Sequence, residues 1–124
     1  MQVAASARAL TILSQLYAYA DRNATAVLQY FEKAQALAGW LVSRRDLSTA
    51  FARSDPRHGI PLGDDSIVDT VARHNHDDIP LHHFSSAAEM YRAFSDLGGV
   101  WQEVGSATGR ADVKKHGDEL VELA

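Results

Sequence analysis

The chain has 124 residues, 46% of them apolar and 23% charged, with a net charge of −4. This is one domain of ordinary globular composition, long enough to bury a core of its own. The acidic balance argues against a general nucleic-acid binder, which needs a basic surface to displace phosphate counterions; the absence of cysteine excludes disulfides, thiolate catalysis and Cys-type zinc sites.

The start lacks a basic stretch followed by a long apolar run, so no signal peptide is expected and the cytoplasm is the expected compartment. No stretch approaches the roughly 20 apolar residues of a membrane span, so no membrane partner is expected.

Residues 3–20 carry Val3, Ala7, Leu10, Leu13, Tyr17 and Ala20 at steps of three and four, the helical period. Ile12, Leu16 and Tyr19 broaden this stripe, so the first helix is expected to be buried on more than one side. Asp21-Arg22-Asn23 breaks the pattern, and Asn23 suits a helix N-cap. A second helix is expected over 24–45, with Val27, Phe31, Ala34 and Leu41 inward and Glu32, Lys33 and Gln35 toward solvent. The short link makes an antiparallel hairpin.

A long connection follows, residues 48–85. It holds all three prolines and five of the six histidines. Loops this long are uncommon in compact domains and are usually functional or disordered. Within it, residues 66–73 have the pattern of a short helix.

Ser86-Ala87-Ala88-Glu89 reads as a capping box opening a third helix over 86–104. Met90, Phe94, Leu97, Trp101 and Val104 form its apolar stripe, and Tyr91 joins the core reading beside them. Gly98-Gly99 either ends this helix, kinks it or permits a close neighbour. Residues 105–109 read as a turn. A last helix is expected over 110–123, weakened by Gly117, with Val113, Leu120 and Val121 inward and His116 on the surface. The expected fold is all-α: two antiparallel helix hairpins, about four helices in one domain, joined by a long polar crossover.

The connection offers two chemistries. Glycoside hydrolysis needs two carboxyl groups, about 5–5.5 Å apart for retention or about 6.5–9.5 Å for inversion. Asp64, Asp65 or Asp69 suits one member, and Asp77 or Asp78 the other. The plainer reading is solvated loop aspartates that cap a turn. His74, His76 and Asp78, with His82-His83, suit a divalent metal such as Zn, Ni or Mn, but their spacing matches no closed site. No metal or other cofactor is expected. Asp55-Pro56-Arg57 reads as structural, with Arg57 bridging carboxylates.

Residues 40–45 (WLVSRR), 54–61 (SDPRHGIP), 63–65 (GDD) and 84–94 (FSSAAEMYRAF) resemble a segment of bacterial six-hairpin, (α/α)-toroid carbohydrate-active proteins. The resemblance covers residues 35–98. It implies helix hairpins stacked around a ring, with long loops on one face building a sugar cleft. Asp64 and Asp65 stand as the candidate catalytic residues, and Arg57, His58, His82, His83 and Phe84 as candidate sugar contacts, His82 or His83 beside Phe84 matching the sugar cleft that the resemblance implies. The chain supplies two hairpins where the ring has six. A part of a ring implies saccharide binding without a complete enzyme, and edge hairpins that associate, a homodimer being the first expectation. The alternative is a self-associating helical interaction module without catalytic activity.

Overall fold

The computed structural model describes residues 3–61 and 84–124. Among these residues it is all-α, with five helices and no strand. They are α1 (Val3–Tyr19), α2 (Ala24–Gln29), α3 (Phe31–Ser48), α4 (Phe84–Thr108) and α5 (Ala111–Leu123).

The first hairpin turns where the sequence breaks. Asp21 and Arg22 sit at φ 51° and 57°, a left-handed step that stops α1. The Arg22 N–H reaches back to the Tyr17 carbonyl at 3.1 Å. Asn23 then caps α2 as expected, its side-chain oxygen accepting from the Thr25 N–H at 2.9 Å. The expected second helix is divided at Tyr30, whose φ −99° and ψ 7° depart from helical values while its N–H still reaches the Ala26 carbonyl at 3.1 Å. Beyond it, Phe31, Ala34, Ala38 and Leu41 of α3 are buried.

The third helix is longer at both ends than the sequence suggests. It opens at Phe84, so Ser86 is a buried residue inside α4 and no N-cap. Glu89 is likewise no capping partner; it takes the Arg8 guanidinium from α1. Residues 105–108 continue the helix, and the turn falls on Gly109 at φ 72°.

The core is built on α4. Met90, Phe94, Leu97, Trp101 and Val104 are all buried, each large side chain contributing about 1.5–3 kcal/mol. Phe31 meets Trp101 edge-on, with ring centroids 5.0 Å apart. The closest backbone packing is α4 against α5 and α1 against α4. Glycines set the first of these. A Cβ on Gly105 would strike the Lys114 backbone, and one on Gly117 would lie 2.7 Å from the Gln102 nitrogen. Gly117 thus permits close packing where the sequence suggested weakness.

Five large apolar residues expected inward are exposed: Ile12, Leu16 and Tyr19 of α1, Tyr91 of α4 and Val121 of α5. Trp40 is half-buried, packed against the core. Val113 and Leu120 point inward as expected.

Candidate functional site

The two hairpins lie side by side in one register. Arg8 donates to Glu89 at 3.1 Å and Arg22 to Glu103 at 2.7 Å, each pair 81 residues apart. Both contacts join α1 or its end to α4, so α1 and α4 run parallel. Exposed ion pairs contribute at most about 1 kcal/mol, so these mark the register more than they hold it. Gln35 of α3 meets His116 of α5 at the same separation of 81. The backbone contacts of Gly98, Gly105 and Gly117 show α5 running back along α4. α3 and α5 therefore form a second parallel pair behind the first.

The two layers differ in closeness. Where α1 and α4 pack tightly, α3 and α5 stand apart. The gap is a groove with a cavity of about 280 Å³, walled by Gln35, Ala38, Gly39 and Val42 of α3 and by His116, Glu119, Leu120 and Leu123 of α5, with Trp101 of α4 also lining it. Ala38 and Gly39 are small, which leaves the gap unfilled. A smaller cavity of about 100 Å³ adjoins it at Leu123, lined by Arg45, Gly59 and Pro61 among others. The first residues of the long connection thus reach the end of the groove.

Polar groups converge at the other end. The Gln35 side-chain nitrogen stands 2.9 Å from His116 Nε2, and His116 Nδ1 stands 3.2 Å from a Glu119 oxygen. A proton on Nδ1 satisfies both contacts: Nε2 accepts from the Gln35 amide, and Nδ1–H faces the carboxylate. Phe31 lies against the imidazole, centroids 5.8 Å apart. His116 is therefore a half-buried, engaged residue rather than a free surface one. Trp101 is 1% exposed, and its indole N–H has no acceptor among the described residues. Buried donors are almost always paired, so each exception asks for a reason.

The sequence-derived candidates fall elsewhere. Arg57 is bound to Asp55 through two side-chain contacts, Nε to Oδ1 at 3.0 Å and Nη2 to Oδ2 at 2.7 Å. Its guanidinium also lies 4.0 Å from the Phe51 ring centroid, and the Asp55 hydrogen bond holds its pKa above the ordinary arginine value. The Asp55-Pro56-Arg57 run builds a turn, in line with its structural reading. His58 donates from Nδ1 to the Phe51 carbonyl at 2.7 Å, which ties the same turn back to the end of α3. Phe84 stands exposed at the start of α4. Asp64, Asp65, Asp69, His74, His76, Asp77, Asp78, His82 and His83, and the short helix read over 66–73, lie outside the described residues. Among the described residues no group of three or more His, Asp or Glu is arranged to hold a metal ion, and no helix is long and apolar enough to cross a membrane.

Sequence reasoning placed Trp101 in the core, Gln35 in solvent and His116 on the surface. Each placement follows the local helical stripe. The site emerges only when residues 81 apart meet, a relation that helical periodicity does not carry.

No protein-family model, curated protein or solved structure matches the chain.

Proposed function

We propose that the chain is a saccharide-binding helical module, not a complete enzyme by itself, whose ligand lies in the groove between α3 and α5. The observation that carries this reading is the buried, unpaired indole N–H of Trp101 beside a cavity with polar groups at one end. An unpaired buried donor costs about 1–3 kcal/mol. The indole nitrogen is closed to solvent, so the groove must open at Trp101 on binding. A sugar hydroxyl then relieves that cost by accepting from the indole while donating to Glu119 or the Gln35 side-chain oxygen. The apolar C–H face of a sugar ring suits the Ala38, Val42 and Leu120 walls. At about 280 Å³ the cavity is near the small end of ligand sites, about 300–1,000 Å³, so a mono- or disaccharide fits best. The resemblance to six-hairpin carbohydrate-active proteins points to the same ligand class. It also keeps Asp64, Asp65, His82 and His83 in the proposal, as residues of the connection that leaves the groove's end at Pro61.

The test is calorimetric titration with a panel of neutral and acidic mono- and disaccharides. Binding by the native chain, lost in Trp101→Phe, supports the reading. A panel without a binder, or a Trp101→Phe variant that binds equally well, overturns it. Alanine at Asp64, Asp65, His82 and His83 decides the role of the connection: binding that survives all four confines the site to the groove.

A second reading, a self-associating helical module, is favoured by the exposed apolar stripe Ile12, Leu16 and Tyr19 on α1. Mass in solution tests it, and a monomer at every concentration contradicts it.

A further inference from the structure

The 81-residue register makes each residue of α1 correspond to one of α4. Ala5, Ala9, Ile12, Leu16 and Tyr19 correspond to Ser86, Met90, Ala93, Leu97 and Val100. On α4 this stripe runs beside Glu89, the residue that reaches Arg8, and its first four members are buried. Gly98 and Gly105 on the neighbouring side face α5, which leaves the stripe for α1. On α1 the same stripe is exposed among the described residues: Ile12 is 62% exposed, Leu16 47% and Tyr19 85%.

The correspondence also runs the other way. α1 buries Val3, Ala7, Leu10 and Ser14. Their counterparts on α4 are Phe84, Ala88, Tyr91 and Ser95. Here Phe84 is 77% exposed and Tyr91 61%, and Ala88 is exposed too. The α1–α4 interface is thus buried, and on opposite flanks the described residues carry an exposed copy of each of its two halves.

From this geometry we infer that a second copy of the chain docks head to tail, its α1 stripe of Ile12, Leu16 and Tyr19 lying on the α4 face of Phe84, Ala88 and Tyr91. The inference rests on the self-association reading above. The docked copy continues the internal α1–α4 interface by one more step. Charge supports the same occupant. Arg8 faces Glu89 inside the chain, so the next step places another Arg8 beside Glu89 and another Arg22 beside Glu103, alternating in sign. Arg92 stands at the rim of the α4 face, 3.5 Å from Asp96. Such an interface is heterologous: the two surfaces differ, so copies add in a row or close into a ring.

The test uses light scattering on a sizing column with two variants, Leu16→Glu and Tyr91→Glu. Both sites are exposed, and circular dichroism checks that each variant keeps its helices. The native chain of 13.5 kDa is expected to gain mass with concentration or form a ring. Each variant alone is expected to stay monomeric, because every contact needs one α1 stripe and one α4 face. Mixed in equal amounts, the two are expected to give a dimer and stop there, since the mixture retains one good surface of each kind. A native chain that stays monomeric overturns both self-association and this inference. A native dimer unaffected by Tyr91→Glu keeps self-association but overturns head-to-tail docking, and its dissociation by Leu16→Glu assigns the contact to α1 against α1. Two monomeric variants that fail to pair when mixed also overturn it.

Discussion

Gly98 and Gly117 face one another where α4 crosses α5. A Cβ on Gly117 would stand 2.7 Å from the Gly98 carbonyl oxygen, and a Cβ on Gly98 would stand 3.0 Å from the Gly117 carbonyl oxygen. Neither obstacle is a side chain that can rotate away. The backbones approach this closely because neither residue has a side chain, and the approach brings Trp101 against α5.

Gly117→Ala is therefore expected to destabilise the fold. Overpacking typically costs about 1–3 kcal/mol, against roughly 1 kcal/mol gained in helix propensity. Gly99 is also helical but has nothing within 4 Å of its added Cβ. Gly99→Ala is expected to stabilise by about 0.5–1 kcal/mol. Urea unfolding of the two variants should move the midpoint in opposite directions. Equal shifts would show that the close approach is not what the glycine provides.

At the α1–α2 joint, the Asn23 side chain satisfies an otherwise free N–H at the start of α2. Asn23→Ala is expected to lower stability by about 1 kcal/mol, and Asn23→Gly by only a few tenths. Thermal unfolding of both variants checks the order. Identical losses would mean that the cap contributes little and backbone freedom sets the effect.

The acid limb of stability has a named contributor. The Arg110 guanidinium, donating to both Asp112 oxygens, lowers the Asp112 carboxyl to about 2. The ordinary carboxylate value in an unfolded chain is about 3.9. Because the folded value is the lower one, the unfolded state takes up the proton first as pH falls. The stabilisation is present above about pH 4 and is lost as pH falls toward about 2. Asp112→Asn should be less stable than the native chain at neutral pH, with the difference vanishing at the acid end. A difference that is undiminished at pH 2 would contradict this account.

The sequence made the helical stripes legible because burial repeats at three and four residues. Val3, Ala7, Leu10 and Tyr17 of α1 and the stripe from Met90 to Val104 of α4 are buried as read. The same rule misled at Ile12, Leu16 and Tyr19: an apolar stripe reports a face without saying whether anything covers it. Ser86 had the right residues for a capping box, yet Phe84 is already helical and Ser86 is buried within the helix. The groove was not legible at all. His116 and Gln35 lie on separate helices, and only the packing of one hairpin beside the other brings them together. Asp64, Asp65 and the paired His82-His83 remain legible as chemistry, with roles that rest on the proposal.

In the sugar proposal the native chain should bind through Trp101, and the indole should report it. Trp101→Phe keeps most of the buried ring area and removes the N–H. Its stability loss should fall well short of the roughly 3–5 kcal/mol typical of Trp→Ala in a core, while sugar affinity disappears. Parallel unfolding and binding curves check both halves. A loss of affinity that merely tracks unfolding would assign Trp101 to packing alone.

The most direct measurement is the nitrogen–proton NMR spectrum of the indole groups during titration with a saccharide from the panel. The chain has two tryptophans, so the spectrum has two such signals. Assignment by Trp101→Phe and Trp40→Phe separates them. The account predicts that the Trp101 N–H signal shifts downfield and exchanges more slowly with solvent as sugar is added, with Trp40 changing less. A sugar that binds while the Trp101 signal stays in place would contradict the groove as the site. A panel in which no sugar moves either signal would contradict the function.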